Sequence, residues 1–178
     1  TVPVSDSSVT LSIDNPNPNP LDVIVSFVAP SDNGGSNITG YNLSSSPDDS
    51  VYTQVATNVT ADQTVTVANS GTWYFKSQAI NPVGTSVFGS SVSITTATVP
   101  VAITDLTTST ITNSAATLTW TEPSNGGSNI VLYKIIRDGV EIATSTVTSY
   151  TDSSAVTQTS YVYAVISNNN VGDSATSN

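Results

Sequence analysis

Short runs of alternating apolar and polar residues cover much of the chain. Successive side chains of a strand point to opposite faces, so alternation marks a strand with one buried face. The runs begin at Val9, Val23, Tyr41, Val65, Trp73 and Val92 in the first half of the chain, and at Ala116, Tyr133, Val140 and Tyr161 in the second half. Turn-forming residues separate them. Short strands with turns between them predict an all-β protein built as an antiparallel sandwich.

The tetrapeptide Thr-Val-Pro-Val occurs at 1–4 and again at 98–101. Similarity at a long, fixed period indicates a tandem array of related units. The second copy marks the boundary, so we predict one domain over 1–97 and a second over 98–178. Each unit is about the size at which one small hydrophobic core is sufficient. The proline in each copy fixes φ and favours an extended segment.

A second motif, Asn-Gly-Gly-Ser-Asn-Ile, occurs at 33–38 and at 125–130. Each copy follows a strand-like run that ends in an aromatic residue and a proline. Each copy precedes another run, led by Tyr41 in the first half and by Tyr133 in the second. Asn-Gly and Gly-Gly pairs mark turns. The same order of strand, turn and strand in both halves indicates that the two units share one fold.

Other segments lack the alternating pattern. Three prolines at alternate positions between 14 and 20 predict an extended, exposed loop, because proline has no N–H for a strand ladder. The polar segment 44–50 is also predicted to be a loop, and the region 51–62 has no regular pattern. Asp138-Gly139 predicts a two-residue hairpin turn, because such a turn has positive φ angles that Asp and Gly adopt readily.

The composition narrows the possible functions. The chain has no Cys and no His, so a Ser-His-Asp or Cys-His nucleophile cannot be built within it. Thirteen acidic residues against three basic ones give a net charge of −10, and such a surface repels phosphate backbones. No apolar run approaches the ~18 residues that a membrane span needs. We therefore expect a non-catalytic protein with no cofactor, no nucleic-acid partner and no membrane insertion.

The most informative motifs of the second unit lie at 120–130 (Trp-Thr-Glu-Pro-Ser-Asn-Gly-Gly-Ser-Asn-Ile), 133–139 (Tyr-Lys-Ile-Ile-Arg-Asp-Gly), 161–165 (Tyr-Val-Tyr-Ala-Val) and 169–172 (Asn-Asn-Val-Gly). In their order and spacing, which the first unit largely repeats, both units resemble fibronectin type III domains. The similarity is to the form found in secreted bacterial proteins and viral surface proteins. The resemblance implies an immunoglobulin-like sandwich of seven strands in two sheets for each unit.

The alternation and the resemblance predict one set of core aromatic residues. Phe27 stands where the family has a strand-B tryptophan, which is Trp120 in the second unit. Trp73 stands where the family has a corner tyrosine, which is Tyr161 in the second unit, and its indole N–H could still donate to the backbone upstream. The predicted structural core comprises Phe27, Tyr41, Trp73, Trp120, Tyr133 and Tyr161. The alternative for Trp120, Tyr133 and Tyr161 is an aromatic sugar-binding platform, which would need them exposed.

The second unit looks shorter than the first at its end. Residues 85–97 follow Gly84 and include the strand-like Val92-Ser-Ile94, whereas only residues 173–178 follow the corresponding Gly172. We therefore predict that the second sandwich lacks its last strand within this chain. An unpaired strand edge is a template for further pairing. We expect that the parent chain continues beyond residue 178 with the missing strand; supply by a neighbouring subunit is the alternative.

Two kinds of surface site are considered. Asp48-Asp49 could contribute to a Ca²⁺ site, but Ca²⁺ takes six or more oxygen ligands and no loop has EF-hand-like spacing, so a solvated turn is favoured and no metal is expected. Asn37, Asn42 and Asn58 each begin an Asn-x-Ser/Thr sequence and are candidate N-glycosylation sites. Glycosylation at these residues is relevant only if the protein comes from a eukaryote or from a virus that infects one.

We predict two tandem domains of a longer protein, with a structural or adhesive spacer function in an extracellular, filament or virion surface protein. The alternative is a carbohydrate-binding or spacer module of a secreted polysaccharide-degrading enzyme. The expected partners are other domains of the same longer chain, neighbouring protein subunits or surface glycans. The joint at 96–102 contains a proline and no glycine, so we expect it to hold the units in an extended pose.

Overall fold

A computed structural model describes residues 1–4, 8–13, 19–112, 115–156 and 159–178 of the chain. The chain forms two compact units, Thr1–Ala97 and Thr98–Asn178. All regular elements in the described residues are β-strands, and every strand pairing is antiparallel. Most of the proline-rich segment predicted to be an exposed loop, residues 14–18, lies outside the described residues.

Unit 1 is a sandwich of two sheets. One sheet has the order β1-β2-β5, and the other has the order β4-β3-β6, with β7 and β8 both pairing with β6. The strands are β1 Ser8–Ile13, β2 Asp22–Val28, β3 Gly40–Ser46, β4 Thr53–Val59, β5 Gln63–Thr66, β6 Gly71–Asn81, β7 Gly84–Thr85 and β8 Val92–Thr96.

The core of unit 1 lies between its two sheets. Val23 and Val25 come from β2, Leu43 from β3 and Phe75 from β6, and all four side chains are fully buried in one cluster. Val23 and Val25 occupy alternate positions along β2, because successive side chains face opposite sides of a sheet. The alternating pattern in the sequence therefore marked the inward faces of these strands.

Unit 2 repeats this plan. One sheet has the order β9-β10-β13 and the other has the order β12-β11-β14. The strands are β9 Thr107–Thr112, β10 Ala115–Thr119, β11 Ile130–Arg137, β12 Val140–Ser145, β13 Ser149–Asp152 and β14 Tyr163–Asn169. The predicted hairpin turn is confirmed: Asp138 and Gly139 connect β11 to β12, with φ angles of 52° and 81°.

The core of unit 2 is built around Trp120, which follows β10. Its side chain is 6% exposed and meets Tyr133 of β11, 2% exposed, edge to face with ring centroids 5.2 Å apart. The other buried side chains of the cluster are those of Ile103, Leu118, Ile135 and Val165. Edge-to-face pairs are a favoured aromatic geometry and add to the gain from area burial. The buried positions of Trp120 and Tyr133 exclude them from any exposed sugar-binding platform.

The structure differs from the sequence prediction in four segments. Residues 44–46, predicted to be a loop, are the end of β3, and Ser46 is fully buried. Strand β3 is paired on both sides, with β4 and β6, and the Ser46 hydroxyl donates to Asp48 at 2.8 Å. Strand β4 lies in the region 51–62, which has no regular pattern. Strands β9 and β13 were also not predicted, because threonine and serine obscure their alternation.

Strand β14 of unit 2 corresponds to β6 of unit 1, but the two strands have different neighbours. Strand β6 pairs with β3 on one side and with β7 and β8 on the other. Strand β14 pairs with β11, and the described residues after it contribute an isolated bridge between Asn168 and Asp173 rather than a strand like β8. Within residues 159–178, no strand therefore takes the place that β8 takes in unit 1.

Substitution of Trp120 tests the core of unit 2. We expect Trp120→Ala to lower the free energy of unfolding of unit 2 by about 3–5 kcal/mol, since the change leaves a large cavity. The matched control is Val140→Ala, because Val140 is 63% exposed and should cost no more than about 0.5 kcal/mol. Differential scanning calorimetry of the two variants is the measurement. Equal melting of unit 2 in both variants would contradict the assigned core.

Candidate functional site: an asparagine clamp in each unit

In unit 1, a buried asparagine at the end of β6 joins three separate segments. The side-chain amide of Asn81 donates from Nδ2 to the carbonyl oxygens of Thr1 and Asn33, both at 2.8 Å. Its Oδ1 accepts from the backbone N–H groups of Val83 at 2.9 Å and Gly84 at 3.1 Å. The first segment, the Gly-rich loop and the turn after β6 are thereby held together by one side chain.

Unit 2 contains the same arrangement at the end of β14. Asn169 donates from Nδ2 to the carbonyl oxygens of Thr98 and Asn125, both at 2.8 Å. Its Oδ1 accepts from the N–H groups of Val171 at 2.9 Å and Gly172 at 3.1 Å. We call this arrangement, built on Asn81 in unit 1 and on Asn169 in unit 2, the asparagine clamp.

The clamp uses the full hydrogen-bonding capacity of an amide side chain. An asparagine amide has two N–H donors and an oxygen that can accept two bonds, and all four are used in both units. Asn81 and Asn169 are each 3% exposed. A buried polar group is costly unless it is paired. The complete pairing explains how an asparagine is accommodated at this position, and it requires all three segments to be in place.

A glycine in the loop allows the first segment to approach. In unit 1, a Cβ atom added to Gly34 would lie 2.1 Å from the carbonyl oxygen of Thr1. In unit 2, a Cβ atom added to Gly126 would lie 2.4 Å from the carbonyl oxygen of Thr98. Both glycines have φ near +70°, which side-chain-bearing residues rarely adopt. The recurrent Gly-Gly motif is therefore required by the close approach as well as by the turn.

The joint segment, residues 98–101, is bound to unit 2 by its backbone as well. Thr98 N donates to the carbonyl oxygen of Gly126 at 2.8 Å, and Val101 N donates to that of Ser124 at 2.9 Å. The proline between them, Pro100, is buried. The Thr-Val-Pro-Val sequence is thus part of the folded unit that follows it and is not a free linker.

Unit 2 also contains an ionic network between its sheets, built around the buried carboxylate of Asp152. Arg137 at the end of β11 donates to Asp152 of β13 at 2.7 Å and to Ser154 at 2.9 Å. The Tyr163 hydroxyl donates to the same Asp152 oxygen at 2.7 Å, and the Asp152 side chain is 2% exposed. Ser154 donates its hydroxyl to the other carboxylate oxygen at 2.7 Å. A buried carboxylate is tolerated when it is paired and hydrogen-bonded in this way.

This network shifts the pKa of both of its acidic groups. Burial by itself would raise the pKa of Asp152, but the hydrogen bonds from Tyr163, Ser154 and Arg137 outweigh it and lower the pKa to about 2. Burial and the hydrogen bond to the Asp152 carboxylate raise the pKa of Tyr163 to about 12. The charged carboxylate and the neutral phenol are therefore the forms that the folded unit favours.

Tyr161, predicted to be a core residue, is placed differently. It precedes β14, is half-buried, and does not belong to the side chains packed in the core cluster of unit 2. Its ring lies 4.8 Å from the guanidinium carbon of Arg137, and its hydroxyl accepts from Val156 N at 3.2 Å. The bond to the backbone upstream is of the kind that the family resemblance implied for a corner tyrosine. Tyr163 packs against the core instead.

The three aromatic residues predicted for the core of unit 1 are half-buried. Phe27 and Trp73 pack against the core cluster. Tyr41 stacks on Phe27, with ring centroids 4.7 Å apart and planes 9° from parallel. The Trp73 indole donates to the carbonyl oxygen of Asn69 at 3.1 Å. An indole at this position can therefore supply the upstream backbone bond in place of a tyrosine hydroxyl.

A small aromatic cluster lies on the outer face of unit 1. The Lys76 ammonium group lies 3.5 Å from the ring centroid of Tyr52 and 4.4 Å from that of Phe88. The Tyr52 hydroxyl donates to Asp49. These contacts are internal cation–π and hydrogen-bonding interactions of an exposed surface.

The candidate glycosylation and calcium residues are all at or near the surface. Asn37 and Asn58 are exposed, whereas Asn42 is half-buried within β3 and accepts a bond from Asn58 N at 3.1 Å. Asp48 accepts bonds from Ser50 N at 2.9 Å and from the Ser46 hydroxyl at 2.8 Å. These bonds hold the pKa of Asp48 well below its usual range. Asp48 therefore stabilises its own turn.

Among the described residues, no group of three or more His, Cys, Asp or Glu residues is arranged to hold a metal ion. In the same part of the chain, no helix is long and apolar enough to cross a membrane.

The motifs that form the clamp are visible in the sequence, but the contacts between them were not predicted. Asn81 and Asn169 each begin a short motif, Asn-Pro-Val-Gly at 81–84 and Asn-Asn-Val-Gly at 169–172, that occupies matching places in the two units. Asparagine before a turn has a local explanation, so the long-range contacts were not inferred. The signal that could have indicated the clamp is that the Thr-Val-Pro-Val, Asn-Gly-Gly-Ser-Asn-Ile and Asn-x-Val-Gly motifs all recur in the second unit.

Solved structures share this architecture. A crystal structure of the FN1-FN3 domains of chicken CNTN1 aligns with a TM-score of 0.52 at 20% identity, covering 99% of this chain and 66% of that chain. A crystal structure of consecutive domains from titin aligns with a TM-score of 0.53 at 19% identity, covering 97% of this chain and 63% of that chain. This chain thus spans slightly less than two thirds of the length of either.

No protein-family model matches the sequence. No curated protein matches it either. The structural similarity therefore defines the fold. The chain has the all-β fold of tandem fibronectin type III or immunoglobulin-like domains, which confirms the predicted fold class.

The ionic network predicts that acid destabilises unit 2. The pKa of Asp152 is about 2 in the folded unit, below its usual 3.8, so its contribution is present above pH 4 and is lost as pH falls through 2. Between pH 4 and pH 2, unit 2 should lose about 2 kcal/mol more stability than an Asp152→Asn variant, which cannot titrate there. Urea unfolding followed by Trp120 fluorescence in a Trp73→Phe background is the measurement. Equal losses in both proteins would contradict the network.

Proposed function

We propose that the chain is a non-catalytic, two-domain spacer within a longer surface protein of the bacterial or viral type. It sets the separation between the parts of that protein to which it is joined. Its surroundings are extracellular, on a cell, filament or virion. Its partners are the neighbouring domains of the same polypeptide, with protein subunits or surface glycans as contacts in the assembled surface.

The observation that carries this proposal is the anchoring of the joint. Thr96, the last residue of β8, is 1% exposed, and its hydroxyl donates to the carbonyl oxygens of Asn69 and Gly71, both at 3.3 Å. Thr98 is held by the asparagine clamp of unit 2. Only Ala97 lies between these two anchored residues. A connection of one residue has few free dihedral angles, which supports a stiff joint.

The composition supports a structural function. The chain has neither His nor Cys, so it has no residue of the kinds that most often serve as general base or thiolate nucleophile. Its net charge of −10 favours solubility and disfavours binding to polyanions. The side chains with the most strongly shifted pKa values, Asp48, Asp152 and Tyr163, all stabilise their own unit through internal hydrogen bonds.

The stiffness of the joint is directly testable. We expect the two units to reorient together in solution, so that ¹⁵N relaxation gives both one common, slow rotational correlation time. The control is a variant with Gly-Gly-Ser-Gly inserted after Ala97, which keeps both anchors and adds a flexible segment. In that variant each unit should reorient faster, because it is then partly independent.

Two results would distinguish a stiff joint from a flexible one. Correlation times that fall clearly on insertion would support the spacer. If the correlation times are already the same in the natural chain and in the insertion variant, the units move independently. The proposed spacing function would then be wrong, even though each unit remained folded.

A further inference from the structure

The Gly-rich loop of each unit contains an Asn-Gly pair, Asn33-Gly34 in unit 1 and Asn125-Gly126 in unit 2. These are the two places in the chain where glycine follows asparagine. Asparagine is a thermolabile residue, because the backbone nitrogen of the next residue can attack its side-chain carbonyl carbon. Glycine has no Cβ to hinder that attack. Both loops therefore carry the same potential site of spontaneous covalent modification.

The side-chain carbonyl of each asparagine is held over the peptide that follows it. Asn33 Oδ1 accepts from Gly35 N at 3.0 Å, and Asn125 Oδ1 accepts from Gly127 N at 3.0 Å. A hydrogen bond to the residue two positions on is the usual turn contact of asparagine. It brings the carbonyl carbon toward the intervening backbone nitrogen and polarises the carbonyl for attack. The electrophile is thus prepared in the same way in both units.

The residue before each Asn-Gly pair differs between the units. Val4 N donates to the carbonyl oxygen of Asp32 at 3.1 Å, and Val101 N donates to that of Ser124 at 2.9 Å. Asp32 and Ser124 therefore occupy matching places in the two Gly-rich loops. Unit 1 has a carboxylate at this place, whereas unit 2 has a hydroxyl group.

The carboxylate of unit 1 engages the backbone nitrogen that would attack. Gly34 N donates to Asp32 Oδ1 at 2.8 Å. In unit 2, none of the described residues accepts a hydrogen bond from Gly126 N. An amide nitrogen becomes nucleophilic when it loses its proton, and the negative charge of a hydrogen-bonded carboxylate disfavours that loss. The fold therefore protects the pair in unit 1 and leaves the pair in unit 2 able to react.

We propose that Asn125 is a site of spontaneous deamidation in the folded chain, and that Asp32 protects Asn33 from the same reaction. Gly126 N forms a bond to Asn125 Cγ, the bond from Cγ to Nδ2 breaks, and Nδ2 leaves as ammonia with the proton from Gly126 N. Water then opens the cyclic succinimide and gives aspartate or isoaspartate. The reaction needs no reagent besides water. It does not depend on the proposed spacer function.

Isoaspartate at position 125 should weaken the clamp of unit 2, because it adds a methylene group to the backbone before Gly126. The carbonyl oxygen of Asn125 accepts from Asn169 Nδ2 at 2.8 Å, and that of Gly126 accepts from Thr98 N at 2.8 Å. A Cβ atom added to Gly126 would already lie 2.4 Å from the carbonyl oxygen of Thr98. The loop therefore cannot lengthen without displacing one of its partners.

The experiment incubates the 178-residue chain under mildly alkaline conditions and follows it by peptide mapping with mass spectrometry. We expect the peptide that contains Asn125 to gain the mass difference between an amide and an acid, partly as isoaspartate. Asn33 should react about tenfold more slowly, since a hydrogen bond to a charged group must be broken first. In urea, which removes the fold, the two asparagines should react at similar rates.

Two reciprocal variants are the matched controls. Ser124→Asp supplies the carboxylate in unit 2 and should slow the modification of Asn125 about tenfold. Asp32→Ser removes it from unit 1 and should speed the modification of Asn33 by a similar factor. Both positions are exposed, and melting curves verify that each variant is folded. Chains with isoaspartate at position 125, isolated by chromatography, should have a unit 2 that melts at a lower temperature.

Several results would overturn the proposal. Asn125 could stay intact in the folded chain, or it could react no faster than Asn33. The rates could also be the same in the natural chain and in both variants. Faster modification in Ser124→Asp would show that the carboxylate acts as a base rather than as a protecting group. Unchanged melting of chains with isoaspartate at position 125 would overturn the expected effect on the clamp.

Discussion

The complete pairing of one buried asparagine amide is the constraint on which each unit depends. Asn81 and Asn169 are almost entirely buried, and an amide in that position must find partners for two donors and one oxygen. The partners come from the first segment, the Gly-rich loop and the turn after the central strand. None of these segments can shift without leaving buried polar groups unpaired, so one side chain fixes the geometry of one end of the sandwich.

The clamp connects the fold to the proposed function. The first segment of unit 2 is also the segment that follows unit 1, and its backbone is held by Asn169 and Gly126. The same contacts that complete the sandwich therefore anchor the joint. Away from the clamp the units differ: in unit 2, Arg137 forms an ion pair with the buried carboxylate of Asp152, and the described residues of unit 1 contain no such pair. The shared architecture is thus stabilised by different local interactions in each unit.

Sequence analysis predicted the sandwich and the inward faces of its strands, because fully buried residues such as Leu43 and Leu118 alternate with polar ones. It did not predict the burial of Ser46, since a run of serines has no alternation of apolar and polar residues. The clamp and the Arg137–Asp152 pair were missed because each joins segments far apart in the chain. It placed Tyr161 in the core, where Tyr163 packs instead, because periodicity gives the face of a strand but not where the strand begins.

The most direct test of the clamp compares Asn169→Ala with Asn170→Ala by urea unfolding. Asn170 is the exposed neighbour of Asn169. Removal of the Asn169 amide leaves backbone groups of Thr98, Asn125, Val171 and Gly172 without their partners, at about 1 kcal/mol for each hydrogen bond lost. We predict that Asn169→Ala destabilises unit 2 by about 3 kcal/mol or more, and that Asn170→Ala changes it by no more than about 0.5 kcal/mol. Equal stability of the two variants would contradict the central role of the clamp.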